Sequence, residues 1–447
     1  MREKEFYIDI AYRLITKFKS RFDYLKIYLT PQQSTEVSVL KGKVENVSFS
    51  ESIPITIVGA KDGKTATVSG NFINESKVES LINYLTSLID FVEKDPFFVM
   101  PEKNLIGKAE AELDIFDRRV FEVDSNKMIE KAKELEDLAL SLSNEVQSGG
   151  SFYSTFSGLT VFANSYLFAD GFEQTYFGKG IVLLTEDRAE DSHNTGRKQR
   201  DGWWDYAVKL DLLEDNKMIA EKAIKRVISK KGSRKPETGV FPVIFENIVA
   251  KGFFSSLASA LTGGNLYRKE SFLTDKLNSN IAVESLTIED NPLLKHGLGS
   301  RLFDSDGVKS KKFSLVEEGV LKNYLLSVYS ANRLGLKTTG SAGGYSNIVI
   351  KPGKKSLEEI ISGIDKGILV TSLKGQGANI KTGDYSRGAE GFFIENGKIS
   401  YPVSEFTISS TFQHMLKNIR EIGNDIYKAS SILSPSILFD GITVSGK

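Results

Sequence analysis

The spacing of apolar residues predicts where the helices of this chain lie. Between Phe6 and Phe18, apolar side chains recur every three or four positions, as they do on one face of an amphipathic helix. The same period predicts helices over residues 75–93 and 125–146, with Asp124 as the N-cap of the second. Four more helices are predicted over residues 216–230, 248–261, 356–364 and 411–422.

Segments between these helices alternate apolar and polar residues, or are rich in β-branched ones, and predict strands. Residues 24–29 form one such strand, and residues 35–50 and 54–71 read as hairpins. A long strand-like run covers residues 151–184, with turns at 164–165 and 170–171. Shorter strands are predicted at 240–245 and 368–373. Runs of strands with segregated helices indicate an α+β fold rather than a doubly wound sheet.

The segment from Gly383 to Thr407 combines turn and strand chemistry without a break. Asp384 to Gly388 is polar and is interpreted as a loop, and residues 391–394 are interpreted as a strand. Asn396-Gly397 predicts a tight hairpin turn, because both residues tolerate the positive φ angles of a type I′ turn. Residues 399–406 return as the second strand. A charged loop that opens onto a hairpin is either scaffold or a binding site.

One polar run suggests where the chain divides. Residues 230–239, KKGSRKPETG, have the composition of a linker. We therefore predict two domains. Residues 1–232 form an N-terminal domain of helices and antiparallel sheet, and residues 233–447 form a C-terminal, β-rich domain with few helices.

Composition narrows the functional classes. The 447 residues contain 58 Lys and Arg and 58 Asp and Glu, so no net positive charge points to nucleic acid as a partner. No segment has the roughly 18 apolar residues that a membrane helix needs, and the N-terminus lacks a signal-peptide core. We therefore expect a cytoplasmic protein without a membrane partner. The absence of cysteine excludes disulfides, thiolate zinc sites and a cysteine nucleophile.

Few residues have the spacing of a metal or catalytic site. His193, His296 and His414 are far apart in sequence, so none has a partner on the same helix face, and each is interpreted as structural or superficial. Residues 304–307, DSDG, begin like a calcium loop, but its twelfth position is Leu315 instead of glutamate, so an Asp-Gly turn is predicted. Neither a nucleophile elbow nor a phosphate loop occurs.

Several long motifs in the second half resemble one family. They read LGSRLFDSDGV (298–308), GSAGGYSNIVIKPG (340–353), TGDYSRGAEGFFIENGKISYPVSEFTISS (382–410), IGNDI (422–426) and PSILFDGITVSG (435–446). In this order they resemble the TldD/PmbA (TldE) family, long called modulators of DNA gyrase. The N-terminal half fits that family in its helix and strand layout only.

The resemblance implies a zinc site in only one branch of the family. The TldD branch resembles zinc metallopeptidases, with an HExxxH helix and a cysteine as a further ligand, and the glutamate would act as general base on metal-bound water. The matching helix of this chain reads FFSSLASALTGG. It places Phe254, Ser255 and Ser259 where His, Glu and His would stand. The resemblance therefore implies no catalytic residue, no metal and no cofactor in this chain.

The PmbA/TldE branch is implied instead, as the metal-free partner of a TldD-type metallopeptidase. Such a subunit would help to enclose a proteolytic chamber and to hold an extended peptide, in a heteromer or as a homodimer. Asp384, Tyr385, Ser386 and Arg387 are the candidates for peptide contact, with a structural network in the loop as the alternative.

Two other functions remain open. The chain could be a peptidase in its own right, with a different metal site or with Ser386, Ser255 or Ser259 as nucleophile, although no base is visible near any of them. It could also be a stand-alone peptide-binding or regulatory protein without protease activity, acting on DNA gyrase or on a toxin–antitoxin pair.

Overall fold

The structure is a computed structural model that describes residues 3–187 and 198–447. Of the helices in these residues, the first five are long, whereas the last four, all in the C-terminal half, have only five or six residues each. In chain order they are α1 Lys4–Phe18, α2 Glu75–Phe91, α3 Ser125–Leu142, α4 Asn216–Ile228, α5 Asn247–Ala260, α6 Gly263–Tyr267, α7 Val328–Arg333, α8 Leu357–Ser362 and α9 Phe412–Lys417.

The first half of the chain builds one eight-stranded antiparallel sheet. Its strands are β1 Tyr24–Leu29, β2 Gln32–Leu40, β3 Lys43–Ser52, β4 Pro54–Lys61, β5 Lys64–Asn71, β6 Gln147–Asn164, β7 Ala169–Glu186 and β8 Lys198–Ala207. The long strand β6 is its spine, since one edge pairs with β7 and the other pairs first with β2 and then with β1. The sheet therefore branches, and β3, β5 and β8 end its three arms.

The second half builds two smaller sheets. The remaining strands are β9 Gly239–Phe245, β10 Ile288–Asp290, β11 Phe313–Glu317, β12 Val320–Leu321, β13 Ile348–Ile350, β14 Lys366–Lys374, β15 Asp384–Glu395, β16 Lys398–Thr411, β17 Ile419–Ile422, β18 Ile432–Leu433 and β19 Ile437–Ser445. Six of them form a sheet in the order β16-β15-β14-β9-β19-β17, and the other five form the order β12-β11-β10-β13-β18. Helix α5 belongs to the large apolar core that these sheets share.

The N-terminal sheet buries one face under two separate pairs of helices. Helices α1 and α2 cover a core that includes Leu159 and Val161 of β6. Helix α3 covers Tyr153 of the same strand, and with α4 it covers Ile181 of β7. These residues of β6 all have odd numbers, as expected when successive side chains of a strand point to opposite faces. The even-numbered side chains of β6 face the other way.

A buried network of charged side chains connects the two halves of the chain. Arg226 of α4 donates to both carboxylate oxygens of Glu246 at 2.9 Å and to the carbonyl of Thr371 at 3.1 Å. Lys230 lies 2.8 Å from a carboxylate oxygen of Asp201 and 3.1 Å from one of Glu390. The predicted domain boundary after residue 232 thus lies close to ion pairs that join the two halves. The boundary itself stays a prediction.

The α+β class predicted from the sequence is confirmed, as are most elements. Helices α2 and α3 begin where their apolar period begins, at Glu75 and Ser125, and Asp124 accepts the N–H of Lys127 as the predicted N-cap. The turn at Asn396 and Gly397 is also confirmed, with φ angles of +52° and +75°. In the described residues no helix is both long enough and apolar enough to cross a membrane.

Three local predictions were wrong. Residues 384–388 are not a loop but the beginning of β15, paired with residues 407–411 of β16. The helix predicted over residues 411–422 ends at Lys417, and residues 419–422 form β17 against β19. Residues 170–171 lie within β7, because the chain reverses only once, between β6 and β7. In each case backbone pairing with another strand overrides the local sequence preference.

Candidate functional site

Helix α5 carries the three positions that the sequence aligned with metal ligands. Its apolar face is buried, and Phe254 is 1% exposed with its ring 5.3 Å from that of Phe253. An aromatic ring offers no lone pair to a metal, and here it fills the core. Burial of such a side chain contributes about 2–3 kcal/mol to folding.

The two serines of α5 are bonded as ordinary helix serines. The hydroxyl of Ser259 donates to the carbonyl of Ser255 at 3.0 Å, and the hydroxyl of Ser255 lies 3.4 Å from that of Tyr345. A serine that bonds to the carbonyl four residues earlier is a common helix feature. In the part of the chain that the structure describes, no three His, Asp or Glu side chains cluster as metal ligands would.

The predicted peptide-contact residues separate onto two faces of β15. Tyr385 is 2% exposed and packs edge-on against Phe412, with ring centroids 5.4 Å apart, and burial raises the pKa of its phenol to about 12. Asp384 and Ser386 are exposed instead, and their side chains bond to Thr382 at 2.6 Å and to Ser409 at 3.3 Å. Tyr385 is therefore part of the core.

Arg387 is partly buried on the same side of the strand as Tyr385. The four residues therefore lie on a strand and not in a loop. One face of the strand packs against the core, and the other face is exposed to solvent. Whether Asp384, Ser386 or Arg387 contacts a peptide stays a prediction, and Tyr385 could do so only after the core had opened.

The structure also contains a cleft that the sequence did not reveal. The face of the N-terminal sheet opposite the helices carries a row of aromatic side chains, among which Phe156 and Tyr176 stack with ring centroids 5.3 Å apart. Tyr206 lies directly over Gly178, where an added Cβ would come within 2.4 Å of its ring. Loops of the C-terminal half face this surface, and the phenol of Tyr176 donates to the carbonyl of Leu298 at 2.6 Å.

Two adjoining cavities make up this cleft. The first, of about 520 Å³, is lined by Phe156, Tyr176 and Tyr206 together with polar residues of β2, β3 and β6. The second, of about 460 Å³, is lined by Lys295, His296 and Lys428 among others. Tyr206, Leu298 and Ala429 line both cavities, so the two form one continuous groove between the halves of the chain.

His296 is fixed at one end of the groove by an ion cluster. Its Nε2 lies 2.6 Å from Oδ2 of Asp114, and the ammonium of Lys209 bonds to the other carboxylate oxygen. These two partners, Lys209 first, hold the pKa of Asp114 below its ordinary value. Asp114 therefore stays ionised at neutral pH and orients the imidazole.

His414 does not line the groove. His414 lies on α9, where its carbonyl accepts a bond from Asn418 at 2.8 Å. His193 lies outside the described residues. The sequence did not reveal the groove, because Phe156, Tyr176 and Tyr206 belong to no motif of known spacing.

The Asp304 segment forms the predicted turn. Oδ1 of Asp304 accepts the N–H groups of Asp306 and Val308 at 2.8 and 2.9 Å, and Oδ2 accepts that of Ala342 at 2.9 Å. The side chain is 1% exposed, and burial together with the charge of Asp306 raises its pKa to about 6. Asp306 pairs with Lys26 at 2.7 Å and so ties this turn to the N-terminal sheet.

Comparison with known proteins agrees with the family resemblance of the sequence motifs. The model of the PmbA/TldA metallopeptidase central domain matches residues 118–231, and that of the C-terminal domain matches residues 238–446. The chain belongs to the PmbA/TldD family. It is 34% identical to the metalloprotease PmbA of Escherichia coli O157:H7 over 427 residues, which cover 95% of this chain and 93% of that protein.

Solved structures of the family share the fold. A protein of Bacteroides thetaiotaomicron, named as a modulator of DNA gyrase, superposes with a TM-score of 0.90 at 28% identity and covers 98% of both chains. TldE of Thermococcus kodakarensis superposes with a TM-score of 0.86 at 23% identity, over 98% of this chain and 100% of that one. At 23% identity, the similarity to the Thermococcus protein shows only that the two chains share a fold.

Proposed function

We propose that this chain is the PmbA/TldE-type subunit of a two-component metallopeptidase of the cytoplasm. In this role it binds an extended peptide, and a TldD-type paralogue supplies the zinc chemistry. The proposal is supported by helix α5, in which Phe254, Ser255 and Ser259 are the residues that the resemblance aligns with the ligands and general base of the TldD branch.

The residues present on α5 do not fit a zinc ion. A catalytic zinc site uses about three protein ligands drawn from His, Cys, Asp and Glu. Phe254 has only carbon atoms to offer, and the hydroxyls of Ser255 and Ser259 are neutral and already hydrogen-bonded. The chain contains no cysteine to complete a set. We therefore assign no hydrolytic step to this chain.

The groove between the halves suits an extended peptide. Its cavities lie in the size range of known ligand sites, roughly 300–1,000 Å³. Aromatic side chains along its floor can contact apolar peptide side chains without selecting one sequence. In addition, the outer edge of β3 pairs with no strand in the described residues, and such an edge can bind a peptide backbone with little sequence preference.

Co-expression with a TldD-type partner tests the proposal. We expect the two chains to copurify and the partner to cleave an unfolded peptide much faster in the presence of this chain. A partner variant without its HExxxH glutamate serves as the control and should remain inactive in the complex. The proposal fails if no complex forms and the activity of the partner does not depend on this chain.

Metal analysis separates this function from an independent peptidase. The purified chain alone should contain no stoichiometric zinc and should cleave no peptide. Stoichiometric metal with activity, or activity that is lost in S255A, S259A or S386A, would favour an independent peptidase.

The name of the Bacteroides relative favours a second candidate, a stand-alone regulator of DNA gyrase. A gyrase pull-down at physiological salt tests it, and a negative result would count against it.

A further inference from the structure

We propose that the groove orients its peptide by charge, with a carboxylate of the peptide at the Lys295–Lys428 end and an amino group at the Glu36 end. The inference rests on the proposed peptide-binding role and adds a direction to it. The carboxylate is either the C-terminus of the peptide or an acidic side chain near it, and the experiment below distinguishes these two sources.

The basic end of the groove has two lysines that are free to bind an anion. Lys295 and Lys428 come from different loops, are exposed, and line the same 460 Å³ cavity. Neither ammonium forms an ion pair within residues 3–187 and 198–447. Two lysines converging on one cavity without a counter-ion create a positive potential there.

The carboxylates near this end are already engaged. Asp114 is shared between Lys209 and His296. Asp205, which lines the cavity, is 9% exposed and accepts the N–H of Glu214 at 2.8 Å. Because a carboxylate can only accept, the Nε2 of His296 is assigned the proton that it shares with Asp114. Among the Asp, Glu, Lys and Arg residues that line this cavity, only the two lysines are exposed.

The other end of the groove has the opposite charge. Glu36 is exposed, lines the 520 Å³ cavity, and has no ion-pair partner among the described residues. The hydroxyls of Ser34, Ser48 and Ser154 line the same cavity and add further acceptors.

The order of the lining residues gives the direction. Glu36 lines only the first of the two cavities, and the two lysines line only the second. Tyr206 lines both and so stands between the opposite charges. An extended peptide that lies along the aromatic floor would have one end near the negative charge of Glu36 and the other end near the positive charges of Lys295 and Lys428. A chain with a free amino and a free carboxyl terminus complements that arrangement.

Fluorescence anisotropy with a set of matched peptides tests this inference on the purified full-length chain. The reference peptide has about ten residues, an internal fluorophore, no acidic side chain and two free termini. Its variants are amidated at the C-terminus, acetylated at the N-terminus, or amidated with one Asp in the last two positions. Exposed ion pairs contribute little each, so amidation should weaken binding about threefold to tenfold, and less at higher salt.

Substitutions locate the effect in the groove. In the double variant K295Q/K428Q the acid and amide forms should bind equally, and in E36Q acetylation should lose its effect. K217Q, an exposed lysine on the outer side of α4, is the matched control and should keep the full acid preference. If the amidated Asp peptide recovers the lost affinity, the site reads any carboxylate, and if it does not, the site reads the C-terminus.

The outcomes separate this inference from the function on which it rests. If no form of the peptide binds, the peptide-binding role fails and the orientation fails with it. If all forms bind equally and K295Q/K428Q changes nothing, peptide binding stands and the orientation is overturned. A circular dichroism spectrum of each variant confirms that these surface substitutions leave the fold intact.

Discussion

Replacing Arg226 with methionine is expected to destabilise the protein by about 3 kcal/mol. The guanidinium has a side-chain exposure of 15% and bonds to Glu246, Asp201 and the carbonyl of Thr371. Removing one partner of a buried ion pair costs roughly 3–5 kcal/mol, because the other charge is left without compensation. We expect the lower value, since Lys230 stays 2.8 Å from Asp201 and methionine keeps part of the aliphatic packing.

The loss should depend on pH. Burial is the largest influence on Glu246 and raises its pKa, even though Arg226 opposes the shift. Without Arg226 the folded-state pKa rises further above the unfolded value near 4.3. A raised pKa favours the folded state below the unfolded pKa, and this contribution is lost as the pH rises through the folded pKa. R226M should therefore be closer to wild type at pH 5 than at pH 8.

Denaturant unfolding measures both effects. Trp203 is a suitable reporter, since its ring centroid lies 5.6 Å from the Arg226 guanidinium. Far-UV circular dichroism run in parallel checks that the two probes report one transition. R268M is the control: Arg268 pairs with Glu270 at 2.8 Å but is half exposed, and its loss should have little measurable effect.

A double variant sharpens the test. In R226M/E246Q both charges are gone, so its stability should exceed the value obtained by adding the two single losses. The reasoning is refuted if R226M unfolds at the same denaturant concentration as R268M, or if its deficit is larger at pH 5 than at pH 8.

Three further predictions follow from single contacts. Y385F should lose little stability in thermal unfolding, because it removes only a buried phenol oxygen whose interaction with Arg387 falls short of hydrogen-bond geometry, whereas Y385A should lose about 3–5 kcal/mol. G397A should be more destabilising than G375A in denaturant titration: both glycines have φ near +75°, but a Cβ at 397 would come within 2.8 Å of the Ser362 carbonyl and one at 375 would meet nothing. D114N should lower stability at neutral pH, and its difference from wild type should shrink as the pH falls from 5 to 3, because the stabilisation from a carboxyl with a lowered pKa is lost on protonation.

Local sequence signals were sufficient where an element is decided by its own residues. Helix α2 was predicted because a full apolar stripe, including Val78, Ile82 and Leu85, faces the core. The turn at Asn396-Gly397 was predicted because few residue pairs adopt two successive positive φ angles. In both cases contacts with neighbouring elements stabilise the structure that the local sequence already favours.

The failures have a common cause in backbone pairing with another strand, which the side chains of a segment do not reveal. Residues 384–388 look like a loop because their side chains are polar, yet their backbone groups pair with β16. Ile419 and Ile422 have helical spacing, but they pair with β19 as a strand. The groove is the extreme case, since Tyr206 and Ala429 line the same cavity although they are more than two hundred positions apart in the chain. No local pattern encodes that meeting.

The course of β6 through the N-terminal half has a consequence for how this half unfolds. One face of the strand contributes Tyr153 to the core beneath α3 and Leu159 and Val161 to the core beneath α1 and α2. Opening either core would expose part of the same continuous ladder with β7. Amide hydrogens under both helix pairs should therefore exchange with solvent at a common free energy, as one cooperative unit, although their side chains never touch.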